Sequence, residues 1–160
     1  MIKRIFIVAA FLLVSTFTIN AQDIAPHALG LRLGDSDGVW AEVSYQAGLS
    51  SDTRIEIDLG IRSRNSFSAV KLTGIYQWVF NIDGGLNWYV GPGIGGGLID
   101  YDNGDDGLES FGFIAGDVGI EYSFDFPLLI SLDFRPEIYF DDFGDDDLNF
   151  NVGVSARYQF

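Results

Sequence analysis

The chain has 160 residues, twenty of them glycine, with 15% aromatic residues and no cysteine. Its formal charge of −14 argues against nucleic-acid binding, which needs basic patches to displace counterions from phosphate. Without cysteine there can be no disulfide, thiol catalysis, thiolate metal site or lipid-modified N-terminal cysteine.

At the N-terminus, Lys3 and Arg4 precede an apolar run from Ile5 to Thr18, and Ile19-Asn20-Ala21 offers a small residue for cleavage. This pattern predicts a cleaved signal peptide over residues 1–21 and a folded domain over 22–160. The alternative, a transmembrane helix, fits less well. About 14 apolar residues are short for a ~30 Å hydrocarbon core.

From Gln22 onward the dominant period is two, the period of a strand, broken by Gly, Asp, Asn, Ser or Pro. Eight such stretches are predicted, near residues 28–34, 38–47, 53–62, 67–80, 85–97, 111–124, 128–140 and 148–160. In the third, Ile55, Ile57, Leu59 and Ile61 alternate with Arg54, Glu56, Asp58, Gly60 and Arg62. Connections 48–52, 81–84 and 125–127 are short. On the other side, 35–37 and 63–66 are short, while 98–110 and 141–147 are long and acidic. Short turns on one side and some longer loops on the other suit an outer-membrane barrel, and an even strand number returns both termini to the periplasmic side. The expected fold is all-β: a closed eight-stranded antiparallel transmembrane β-barrel.

The number of apolar positions decides which face points outward. A filled eight-strand interior takes about a dozen side chains, against roughly forty on the apolar parity here. The apolar face must therefore meet lipid. The other parity carries Arg32, Arg54, Arg62, Lys71, Arg135 and Arg157 against Glu42, Glu56, Asp58, Asp117, Glu121, Asp133 and Glu137. Such near balance in so acidic a chain predicts a luminal ion-pair network, because unpaired charge is costly away from water. Trp40, Tyr89, Phe113 and Tyr139 share that parity and add bulk.

On the apolar parity, Tyr45, Trp78, Phe80, Trp88, Tyr122, Phe124, Tyr158 and Phe160 form an expected periplasmic aromatic girdle. Phe140 and Phe150 mark the opposite one. Pro92 and Pro136 fall inside predicted strands, where each removes a ladder donor. Bulges, or altered strand limits, are expected there.

Three segments carry a family resemblance: Trp88-Tyr89-Val90-Gly91-Pro92-Gly93-Ile94-Gly95-Gly96-Gly97, Phe134-Arg135-Pro136-Glu137, and the ending Val152 to Phe160. With the signal pattern and eight strands, the chain resembles the small outer-membrane β-barrels of the OmpA/OmpX/OmpW-like, porin-family kind. The resemblance implies residence in the bacterial outer membrane, contact with its lipid and lipopolysaccharide, and assembly by the barrel-assembly machinery. Tyr158 and terminal Phe160 resemble the family's recognition signal for that machinery. The family is functionally diverse, so the likeness implies place and architecture more than activity.

Candidate chemistry is sparse. The one histidine, His27, precedes the first stretch and makes no triad by itself. The run Gly91 to Gly97 lacks the Lys-Ser/Thr and the helix of a phosphate loop. Small residues facing a crowded lumen explain it better. Two acidic clusters remain: Asp100, Asp102, Asp105, Asp106 and Glu109, and Asp141, Asp142, Asp145, Asp146 and Asp147. They read as solvated surface loops or as oxygen ligands for calcium, although the first does not match an EF-hand. No other cofactor is expected, and the surface partner is not specified. The functional expectation is a structural or surface-interaction barrel without a catalytic centre. A narrow porin-type channel is the alternative, and a lipid-modifying enzyme comes third.

Overall fold

The structure, a computed structural model, describes residues 24–36, 38–64, 66–101, 107–140 and 148–160. The expected signal segment lies outside them. Eight strands follow in chain order: β1 (His27–Asp35), β2 (Val39–Gly48), β3 (Thr53–Arg64), β4 (Phe67–Asp83), β5 (Leu86–Tyr101), β6 (Glu109–Ser123), β7 (Leu128–Tyr139) and β8 (Leu148–Gln159). Each pairs antiparallel with its sequence neighbours, and β8 returns to β1 to close the barrel. Closure removes sheet edges, so backbone groups along the strands find partners without water, as hydrocarbon requires.

The alternation read from sequence becomes the two faces of the wall. Along β3, Ile55, Ile57, Leu59 and Ile61 are exposed while Arg54, Glu56 and Asp58 are buried. The outer surface is a continuous apolar band, with Leu31 and Ile61 each 63% exposed and Ile94 67%. A monomer in water does not tolerate so large an apolar patch; lipid does. Aromatic side chains ring the end that carries the termini. Phe80 stacks on Trp88 at 4.6 Å, Tyr122 meets Phe124 edge-on at 4.8 Å, and Tyr158 stacks on Phe160 at 6.2 Å. Near the opposite end Phe134 stacks on Phe150 at 5.6 Å.

The prolines correct one expectation. No bulge forms at Pro92 or Pro136. Pro92 stays in register opposite Gly116 of β6, and Pro136 opposite Phe150 of β8. Pairing with the other neighbour lapses locally, between Ile75–Gly93 and Trp78–Val90, and between Ala115–Glu137 and Val118–Phe134, without a register shift. A residue without N–H can thus sit in a two-sided strand when the lost donor faces one ladder only. The one shift in the β4–β5 ladder lies beside its turn, between Asn81 and Asp83.

Strands β5 and β6 also run further than expected. Leu98 to Tyr101 pair with β4, and Ile99 pairs with Glu109. Asp100 and Glu109 are therefore strand residues and not loop residues. The cause is Ile99, which points inward and is 2% exposed, so its burial extends the ladder past the glycines.

Candidate functional site

The chemistry-bearing side chains gather in the lumen, because strand parity sends them there from every side of the wall. Near the terminal end, Arg54 of β3 donates to both carboxylate oxygens of Glu121 of β6, at 3.0 and 2.7 Å. It also donates to Gln77 at 2.6 Å and stacks on Tyr89 at 5.0 Å. A small polar cavity lies beside this pair, walled by Gln46, Asn87 and Gln159 and bounded by Ile24 and Ala25.

The central layer holds three arginines. Arg157 donates to Ser44 at 2.9 Å, to Ser131 at 3.0 Å and to Ser155 at 2.5 Å, and pairs with Glu56 at 3.0 Å. Arg135 donates to Asp58 at 2.9 Å and Glu56 at 3.0 Å, with Asp117 and Glu42 further off at 3.6 and 3.9 Å. Arg32 donates to Glu42 at 2.8 Å, to Asn151 at 2.9 Å and in a forked arrangement to Asp133.

Towards the loop end, Lys71 pairs with Glu137 at 3.0 Å and Glu42 at 3.7 Å while facing the rings of Trp40 and Phe113. Above it stands an aromatic stopper. Phe111, Phe113 and Tyr139 pack together, beside a second cluster of Trp40, Ala69 and Ile99 flanked by Phe67 and Tyr101. The glycine run makes the room. A β-carbon on Gly95 would overlap the Phe113 ring, and one on Gly97 the Phe111 ring.

Of the thirteen charged residues predicted for the lumen, twelve are buried there within 4 Å of an opposite charge. The thirteenth, Arg62, is half-buried near the loop end, over Trp40 and Phe67, and donates to the Ser36 carbonyl at 3.4 Å. Several neutral members were not foreseen: Ser44, Gln46, Gln77, Ser131, Asn151 and Ser155. All share the charged parity, so parity alone could have found them. Ile75, Ile99, Phe111 and Leu129 also face inward, and their apolar character hid them.

Asp100 and Glu109 are exposed at the loop end. Asp102, Asp105, Asp106, Asp141, Asp142, Asp145, Asp146 and Asp147 lie outside the described residues. Among the described residues no group of three or more His, Cys, Asp or Glu could hold a metal ion. His27 is on the outer face, its Nδ1 2.8 Å from the Tyr45 hydroxyl and its ring 5.6 Å from that of Phe160. Backbone bonds tie His27 to Phe160 in both directions, at 3.2 and 2.9 Å, at the barrel seam.

Closed ladders, a lipid-facing apolar wall and a filled charged lumen define a small eight-stranded barrel of the transmembrane, outer-membrane type. The fold has solved counterparts. The N-terminal β-barrel domain of Pseudomonas aeruginosa OprF superposes with a TM-score of 0.70 at 15% identity, over 84% of this chain and 96% of that one. Neisserial surface protein A gives 0.63 at 12% identity, over 84% and 94%. The Yersinia pestis outer membrane protein Ail in a bilayer nanodisc gives 0.55 at 14% identity, over 86% and 100%. At such identities the likeness is one of fold. No protein-family model and no curated protein sequence matches the chain.

Proposed function

We propose that this is an integral protein of the bacterial outer membrane with a structural or surface-interaction role, displaying acidic loops and closed to solutes. The observation that carries the reading is the filled lumen: charged pairs such as Arg54–Glu121 and Arg135–Asp58 cross it and an aromatic stopper lies above them. Twelve buried charged side chains, paired across the lumen among the described residues, argue against a hydrated path of porin type. The outer wall would contact membrane lipid and lipopolysaccharide. Tyr158 and Phe160, at the seam, would serve assembly by the barrel machinery. No catalytic role is assigned, since the one histidine faces outward between Tyr45 and Phe160. Planar-bilayer recording tests the proposal. Little or no steady conductance is expected, and discrete, reproducible channels at modest voltage would favour the narrow-pore alternative.

A further inference from the structure

On the outer face of β3, β4 and β5 the outward side chains form rows across the three strands. The row nearest the loops is polar: Ser63 lies in register with Ser68, and Ser68 with Asp100. All three are exposed, and the two hydroxyl oxygens are 3.5 Å apart. The next rows are apolar, Ile61–Val70–Leu98 and then Leu59–Leu72–Gly96. Below Asp100 the outward positions of these strands carry no charge as far as Thr53, Trp78 and Val90.

Two grooves open on this face. One, of about 350 Å³, lies at the loop end, where Ser63, Ser68 and Asp100 edge a floor that includes Val70, Leu98 and Leu108. The other, of about 430 Å³, is lined by Ile55, Gly74, Tyr76, Pro92 and Ile94. It sits where the β4–β5 pairing lapses between Ile75–Gly93 and Trp78–Val90. Packing within the barrel does not account for the glycine. A β-carbon on Gly74 would meet nothing nearer than the Ile94 carbonyl oxygen at 4.0 Å, so the notch is open to whatever lies against the wall.

The two grooves are one leaflet apart. Six residues of β4 separate Ser68 from Gly74, or ~20 Å along the strand at ~3.3 Å per residue. At a strand tilt of ~40° this is ~15 Å along the bilayer normal, half of a ~30 Å hydrocarbon core.

We propose that this face holds one phospholipid with a primary ammonium headgroup. Its head sits at Ser63, Ser68 and Asp100, and one acyl chain runs down past Val70 and Leu98 into the Gly74 notch. The inference rests on the membrane reading above. The polar row selects the head: a primary ammonium carries a positive charge and three N–H donors, and the row offers a carboxylate and two hydroxyl oxygens. An anionic head would meet Asp100 as a like charge, and a quaternary ammonium has no N–H to donate. Continuity selects the chain, because both grooves belong to the apolar wall that meets hydrocarbon.

Native mass spectrometry of the full-length protein tests this. The barrel is folded into vesicles of equal phosphatidylethanolamine, phosphatidylcholine and phosphatidylglycerol of one acyl composition, then extracted into mild detergent. Wild type should retain one phosphatidylethanolamine, about tenfold in preference to the other two. Asp100→Asn should abolish the preference. Gly74→Leu, which the open space admits, should lower retention about tenfold. A wild-type barrel that retains no lipid, or the three lipids equally, overturns the proposal, as does retention that either substitution leaves unchanged. Preference for phosphatidylglycerol would mean an anionic head, and pairs of barrels without lipid would assign the face to a second copy; both overturn it. If a variant does not fold, the wild-type preference still decides. A barrel that inserts into vesicles without conductance yet retains no lipid sinks this inference alone. Failure to insert sinks the membrane reading with it.

Discussion

Gly153 of β8 lies directly beneath the guanidinium of Arg32 of β1, where a β-carbon would overlap the cation. Gly153 is paired in register with Asp133 of β7 on one side and Gly34 of β1 on the other. The missing side chain is what lets Arg32 cross β8 and reach Asp133. A free arginine could step aside, but this one is also held by Glu42 and Asn151. Gly153→Ala should therefore act like loss of the ion pair. Both it and Asp133→Ala are expected to lower stability by about 3–5 kcal/mol, the cost of stranding one partner of a buried pair. Urea unfolding in lipid vesicles measures both, and an unchanged midpoint for either would mean that the cation is hydrated.

If the lumen is closed as proposed, the aromatic stopper and the charged layers are two barriers in series. Phe113 is fully buried against Phe111 and Tyr139. Phe113→Ala should cost about 3–5 kcal/mol in the same assay. It should leave bilayer conductance at the wild-type level, since the arginine layer below remains. Conductance that appears in this variant would identify the stopper as the sole barrier.

Phe160 closes the seam through two backbone bonds to His27 while its ring lies over the imidazole. Deleting Phe160 should lower the yield of folded barrel in outer-membrane fractions and slow insertion. His27→Ala should leave the host's lipid composition unchanged, as measured by mass spectrometry. Loss of a lipid product in that variant would reveal an enzyme.

The wall, the stopper and the luminal ion pairs described above are formed among the described residues. Shortening the loops 102–106 and 141–147 to Asn-Gly turns should leave a folded, heat-modifiable barrel. If the acidic side chains bind calcium, the ion relieves their mutual repulsion and adds stability by linkage. Millimolar calcium is then expected to raise the unfolding temperature of the full-length protein and not of the shortened one, with magnesium as the control. Equal shifts in both proteins, or none, would leave the loops as solvated acidic surface.

Strand number, wall polarity and the charged members of the lumen were legible in the sequence, because a period of two assigns residues to alternate faces, while inward apolar residues such as Ile75 and Leu129 were masked by their character. Arg32, Glu42 and Asp133 could be placed inside on that basis alone. Strand limits were less legible: Ile99 is one inward residue beyond a glycine run, and only its burial shows that the ladder continues. The prolines misled because a sequence shows the missing donor and not which ladder it faces.

What the sequence by itself determined was the sorting of side chains between lipid and lumen, which depends only on local geometry and hydrophobicity. Depth along the axis and partnership across the lumen were decided by the tertiary structure. Arg32 and Asp133 are 101 positions apart, and Arg135 and Asp58 are 77 apart. They meet only because closure sets the stagger of all eight strands at once. Alternation predicted near balance of charge. Only the closed barrel showed that Asp58 and Asp117 share a single arginine, because electrostatic pairing depends on distances of a few ångströms that no local pattern contains.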